Sequence, residues 1–159
     1  MPAETRVVDW DERYGNAFGR LNREWLDKYF RVEAVDEPVL DDPRTHVLAS
    51  GGVILYAVID NEAIGTVALK HQGKGVFELT KMAVTEAFQG RGIGRVLLCA
   101  AIDRFHEIGG RMLYLESNSR LGRALALYES AGFRHESPPE ASDYARADVY
   151  MVFRGEATE

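Results

Sequence analysis

Residues Phe77 to Arg95, FELTKMAVTEAFQGRGIGR, leave this chain few ways to fold. An apolar stretch with strand character runs into a glycine-rich turn, and a helical pattern opens directly after it. Gly90, Gly92 and Gly94 alternate with Arg91 and Ile93, so a backbone here can approach a ligand with no Cβ in the way. A helix beginning at this point leaves its first N–H groups unpaired and presents the positive end of its dipole. That combination suits an anion, above all a phosphate or diphosphate. Arg91 and Arg95 add positive charge beside the same loop.

Spacing narrows the choice of phosphate ligand. A Walker loop requires Gly-Lys followed by Ser or Thr, a tripeptide the sequence lacks. A dinucleotide fingerprint, G-x-G-x-x-G, would need a third glycine where Arg95 stands. Glu116 in the next strand stands where such a fold carries its ribose-binding acid, so a dinucleotide-binding protein stays open as a lesser reading. The spacing that does fit is Gln89-x-x-Gly92-x-Gly94.

This segment resembles motif A of the GNAT N-acetyltransferases, whose Q/R-x-x-G-x-G/A loop holds the diphosphate of acetyl-CoA. The likeness extends in both directions. Upstream, Glu78-Leu79-Thr80-Lys81-Met82-Ala83-Val84 is similar to the family's fourth strand; downstream, Ala124-Leu125-Ala126-Leu127-Tyr128 through Gly132-Phe133 resembles its motif B. Order and separation agree over residues 53–133. The resemblance implies an α/β (α+β) GNAT fold, with a mixed central sheet of about six or seven strands. N-terminal helices would lie on one side of it, and the motif A and motif B helices would pack on the sheet. It also implies direct transfer of an acetyl group from acetyl-CoA to a primary amine within a ternary complex. The alternative is a non-catalytic acyl-CoA-binding sensor or interaction module.

The rest of the chain fits one domain over residues 1–159. Thr5 to Asp9 predicts a short strand. Trp10, Tyr14, Phe18, Leu21, Trp25 and Tyr29 recur at helical spacing, interrupted by Gly15 and Gly19, so two short helices are expected. By the resemblance this region borders the acceptor groove, with Trp25, Tyr29 or Phe30 able to line it. Glu33 to Asp42, broken by Pro38, reads as an acidic loop: either a solvated connector or a rim that attracts an amine. Val53–Ile59, Ala63–Leu69 and Val76–Val84 read as a three-stranded meander. A helix from Gly92 to Gly109-Gly110, a strand at Met112–Glu116 and a helix at Leu121–Ala131 follow. A parallel strand pair is the consequence. Phe133 starts a further strand, Ser137–Asp143 is a loop expected to wall the groove, and Tyr144–Phe153 alternates as a last strand.

Charge and composition exclude several function classes. The net charge of −6 argues against a nucleic-acid partner and suits either a cationic substrate or plain solubility. Cys99 is the single cysteine, so neither a disulfide framework nor a cysteine-based zinc site is expected, and its helical position predicts a buried, inert thiol. No metal is expected. No apolar run is long enough to span a membrane and no leader pattern is visible, which predicts a cytoplasmic protein with no membrane partner. The expected partner is an amine-bearing acceptor, small molecule or protein; relatives often form homodimers.

Acetylating an amine poses two proton problems. A lysine-like amine of pKa about 10.4 costs about 4.6 kcal/mol to neutralise at pH 7, so a base is needed. The departing thiolate benefits from a proton donor. Glu78, set between Phe77 and Leu79, is the candidate base, since an apolar setting raises a carboxylate's pKa; the alternative is an edge glutamate paired with Lys81. The resemblance puts Glu78 at the position of the family's usual carboxylate, and Tyr128 at that of the motif B tyrosine that protonates the thiolate. It further implies that Met82, Ala83 and Val84 bind the pantetheine arm through their main chain, and that Gln89, Gly90, Arg91, Gly92, Ile93, Gly94 and Arg95 cradle the diphosphate. One departure stands out: three residues before Ala124 many relatives carry an asparagine, and here it is Leu121. Asn118 is either the substitute for that contact or a turn residue.

Overall fold

The computed structural model describes residues 4–155. Seven strands form one mixed sheet in the order β1-β2-β3-β4-β5-β7-β6. They are β1 (Arg6–Asp9), β2 (Val53–Ile59), β3 (Glu62–His71), β4 (Val76–Val84), β5 (Met112–Ser117), β6 (Phe133–His135) and β7 (Val149–Phe153). β1 to β4 form an antiparallel meander, β4 and β5 pair in parallel, and β7 inserts between β5 and β6. The β2–β3 turn falls on Asp60 and Asn61, both with positive φ (51° and 64°), as a tight hairpin turn requires.

The central strands are apolar on both sides because both sides are covered. One core joins Leu55, Val67, Leu79, Leu113 and Leu115 to Leu97, Leu98 and Phe105 of α3 (Ile93–Glu107). α4 (Gly122–Ala131) packs on its margin through Leu125, Leu127 and Tyr128. The second core lies on the opposite face. There Ile54, Tyr56, Val58 and Ala68 meet Phe18, Leu21 and Leu26 of α1 (Ala17–Tyr29) and Val39 and Leu40 of α2 (Glu37–Asp41).

Four expectations need correcting. Gly15, at φ 51°, does break the N-terminal pattern, separating a 3-10 turn at Glu12–Tyr14 from α1, but Gly19 is helical. A Cβ on Gly19 would stand 2.7 Å from the Leu40 carbonyl oxygen, so this glycine lets α1 and α2 touch. The acidic loop contains α2, with Pro38 in its first turn, where a missing N–H costs nothing. Alternation across Tyr144–Phe153 becomes strand only from Val149, because the Glu33 side chain from the α1–α2 connector claims the amides of Ala145 and Arg146. Cys99 is exposed rather than buried: Leu97, Leu98 and Ala101 take the inward face of α3.

Candidate active site

β4 and β5 are bonded only from Val76↔Met112 to Glu78↔Tyr114. Beyond that they diverge, since β5 continues with β7 and β4 with β3. A cavity of about 350 Å³ opens between them, lined by Glu78 to Val84 on one side and Leu115 to Asn118 on the other. The edge of β4 that faces it has no strand partner there. A bulge sharpens the divergence: pairing with β3 jumps from Ala68↔Thr80 to Thr66↔Ala83, and Lys81 takes a left-handed φ of 56°. One extra residue reverses the facing of everything after it. Phe77 and Leu79 pack towards α3, as do Met82 and Val84, while Ala83 joins the α1 core.

Past Val84 the chain makes a short 3-10 turn (Glu86–Phe88) that α1 fastens in place. Glu24 accepts hydrogen bonds from Thr85 Oγ1 (2.9 Å) and Glu86 N (3.0 Å). Gln89 Nε2 donates to the Val84 carbonyl at 2.9 Å and closes the loop. Gly90 and Gly92 follow at φ 80° and 79°, values L-residues rarely adopt, and a Cβ on either would meet nothing within 4 Å. Gly92 is the N-cap of α3 and supplies no side-chain cap, so the opening amides of the helix have no side-chain partner. The loop is an open concavity ending in free N–H donors.

At the opposite end stands Glu78. It is 7% exposed, and burial, with the nearby charge of Glu116 adding to it, raises its pKa to about 7. Its one hydrogen bond comes from Gln72 Nε2, at 3.2 Å. The expected alternative pairing with Lys81 does not form, because Lys81 Nζ is bound to Asp36 at 2.6 Å. Tyr128 reaches the cavity from α4, packed edge-on against Phe133, and burial raises its pKa to about 12.

Asp36 anchors a buried network that no local pattern announces. Its carboxylate is fully buried and binds Lys81 and both terminal nitrogens of Arg146 (each 2.8 Å), together with the Glu33 amide. Burial pushes its pKa up, yet the Arg146 and Lys81 hydrogen bonds outweigh that and hold it well below the usual carboxylate range. Glu33 accepts from Ala145 N, Arg146 N and the Arg146 guanidinium, fastening the segment before β7. Both cations lie 4.6 Å from the centre of the Tyr144 ring.

Of the residues singled out from sequence, Glu78, Met82, Ala83, Val84, Gln89, Gly90, Gly92, Ile93, Gly94, Asn118 and Tyr128 all line this one cavity. Arg91 and Arg95 do not: Arg91 stacks on Phe88, and Arg95 donates to Ser130 Oγ. Arg123, in the first turn of α4, supplies a cation to the lining instead. Asn118 spends its amide internally, donating to the Arg146 carbonyl at 2.7 Å and accepting from Arg120 N at 2.8 Å. Trp25 and Phe30 line the cavity and Tyr29 does not; the groove wall comes from Tyr144, Arg146 and Ala147 rather than from Ser137–Asp143. Lys81, Glu116 and Arg146 were missed as lining residues because the contacts that place them span more than 25 residues of sequence.

A model of the acetyltransferase (GNAT) family matches residues 18–133. The chain belongs to the GNAT family. Among curated relatives, the uncharacterized N-acetyltransferase YjgM of Escherichia coli is 35% identical over 104 residues, 64% of this chain and 62% of its own length. The chain thus spans less than two thirds of that GNAT relative. An acetyltransferase of the GNAT family from Staphylococcus aureus has the same fold, with a TM-score of 0.82 at 20% identity, covering 94% of this chain and 98% of its own. The PaiA N-acetyltransferase of Thermoplasma acidophilum, solved in complex with coenzyme A, superposes with a TM-score of 0.72 at 17% identity, covering 94% and 98%. The seven-stranded mixed sheet flanked by helices is therefore a GNAT fold. Among the described residues no helix is long and apolar enough to cross a membrane, and no group of three or more His, Cys, Asp or Glu side chains is placed to hold a metal ion.

Proposed function

We propose that this GNAT protein is an N-acetyltransferase that moves the acetyl group of acetyl-CoA directly onto a primary amine. The observation that carries the reading is the continuity of one cavity. It joins an uncapped helix N-terminus, an unpartnered edge of β4 and a carboxylate of pKa about 7. The residues fit the donor: the space beside Gly90 and Gly92 is open, and the α3 amides are unspent. Gln89, Gly90, Gly92, Ile93 and Gly94 would bind the diphosphate, with Arg123 adding charge from α4. Main-chain groups of Met82, Ala83 and Val84 would hold the pantetheine arm as an added strand holds to a sheet edge. Acetyl-CoA supplies an activated acyl group and, once it is lost, a thiolate. For Asn118 the turn reading is the one its hydrogen bonds favour.

Glu78 is the base in this proposal. A pKa of about 7 leaves it largely ionised just above neutrality, yet basic enough to take an ammonium proton. Tyr128 at about 12 keeps its phenolic proton throughout that range and can give it to a nearby anion. Cys99 lies on the outer face of α3 and is absent from the cavity lining, so a covalent acyl-cysteine route has no support.

Turnover of acetyl-CoA with a panel of amines, followed as thiol release, tests the reading. Product is expected with at least one amine, and Tyr128→Phe should lower kcat about a hundredfold with little change in KM for acetyl-CoA. Tight acetyl-CoA binding without transfer to any amine would favour the non-catalytic module. A larger thermal shift with NAD(P) than with acetyl-CoA would favour the dinucleotide reading.

A further inference from the structure

Among the described residues, the two cations near the acceptor end, Lys81 and Arg146, are already matched. They neutralise Asp36 and Glu33, so that group of four is balanced. Two carboxylates facing the same cavity are left without an ionic partner among the described residues: Glu78 and Glu116. Strand register puts them on one face of the sheet. Glu78 lies opposite Tyr114 across the parallel pair, and Glu116 is two residues further along β5. Glu116 lies opposite Tyr150 of β7, and the Tyr114 and Tyr150 rings sit 5.5 Å apart on the same face. Ser142 Oγ donates to one Glu116 oxygen at 2.9 Å and holds the side chain in place without neutralising it.

We infer that Glu116 is a specificity-determining residue that binds a second cationic nitrogen of the acceptor while Glu78 deprotonates the first. This rests on the acetyltransferase reading and names its substrate class: small diamines and longer polyamines, in preference to monoamines or amines carrying a carboxylate. A carboxylate on the acceptor would find Lys81 and Arg146 already engaged, with Arg123 given to the diphosphate in the proposed donor seat, and it would face two like charges. A second ammonium gains a charge-assisted hydrogen bond in a site that excludes much of the solvent. Glu116 has a further effect through its charge: after burial it is what most disfavours ionisation of Glu78, against Lys81 and the cross-strand neighbour Lys70, which favour it.

The test uses 1,4-diaminobutane, 1-aminobutane and 4-aminobutanoate, which share a four-carbon chain and differ in the distal group. The native protein should show kcat/KM about tenfold or more higher for the diamine than for the monoamine, and lowest for the amino acid. Glu116→Gln should erase that preference, chiefly by raising KM for the diamine, and move the acidic limb of the kcat/KM profile to lower pH. Calorimetric binding of the diamine to the native protein, weakened in Glu116→Gln, gives a readout independent of turnover. Equal use of diamine and monoamine by the native protein, or an undiminished diamine preference in Glu116→Gln, overturns the cation-binding role while leaving the acetyltransferase reading intact. Failure of all three amines to react or bind overturns the assignment. Failure of every amine, with acetyl-CoA bound, overturns both readings.

Discussion

At the scale of single residues, Glu78 trades stability for reactivity. Its folded pKa of about 7 lies above the ordinary carboxylate value, so the folded state binds a proton that the unfolded state has already released. Stability is then fully present below the unfolded value near pH 4.5 and is lost as pH rises towards 7. The shift corresponds to about 3 kcal/mol at pH 8. Glu78→Gln should therefore be the more stable protein at pH 8 in urea unfolding, with the difference vanishing near pH 4, while kcat falls by about 10²- to 10⁴-fold. Identical pH–stability curves for the two proteins would show that burial does not act on this group. The native rate should rise with pH through about 7, because the ionised form is the base. Gly92 illustrates a different constraint. It has room for a methyl group but a φ of 79°, so Gly92→Ala should cost about 1–2 kcal/mol in backbone strain and weaken acetyl-CoA more than the acceptor amine. An unchanged KM for acetyl-CoA would mean the loop is not its seat.

Among the elements, the α1–α2 connector and the segment before β7 are held together by charge rather than by apolar contact. Asp36 lies between buried Lys81 and half-buried Arg146, and Lys81 reaches it only because the β4 bulge turns that side chain towards α1. Removing the anion strands both partners away from water. Asp36→Asn should destabilise the fold by about 3–5 kcal/mol, read as a lower urea midpoint at unchanged slope. A loss below about 1 kcal/mol would place the network in the class of solvent-screened pairs. Because the Asp36 pKa is depressed, its contribution is present above the unfolded value of 3.8 and disappears as pH falls below it. The acidic stretch read from sequence as connector or amine-attracting rim thus divides. Glu33 and Asp36 are structural anchors, whereas Glu37 and Asp41 are exposed partners of Arg23.

Over the whole molecule, the sheet is continuous from β1 to β4 and again from β5 to β6, and the opening between the halves is where backbone groups lie unpaired. In amide hydrogen exchange, β2 and β3, buried on both faces, should be the slowest elements. Amides of residues 80–84 and 92–95 not bonded within the fold should exchange fast alone and slow on adding acetyl-CoA. If protection instead appeared at the second cavity, beside Arg20 and Arg44 on the α1 side, the donor would be seated elsewhere.

Local chemistry determined the elements around the glycine loop. Positive φ, an uncapped helix start and period-two apolar runs are properties of short stretches, so Val53–Val84, α3, β5 and α4 were readable from their residues alone. Even the bulge left a trace, since the apolar phase set by Phe77 and Leu79 is reversed at Met82 and Val84. The resemblance to GNAT motifs then supplied roles for Glu78 and Tyr128. What the order of residues could not decide is which charges meet. Asp36 finds Lys81 45 positions away and Arg146 110 positions away, and those pairings consume the cations that would otherwise balance Glu78 and Glu116. Net charge is fixed by composition, but the sign and strength of the field inside a cavity depend on which groups are already neutralised, and only the tertiary fold sets that.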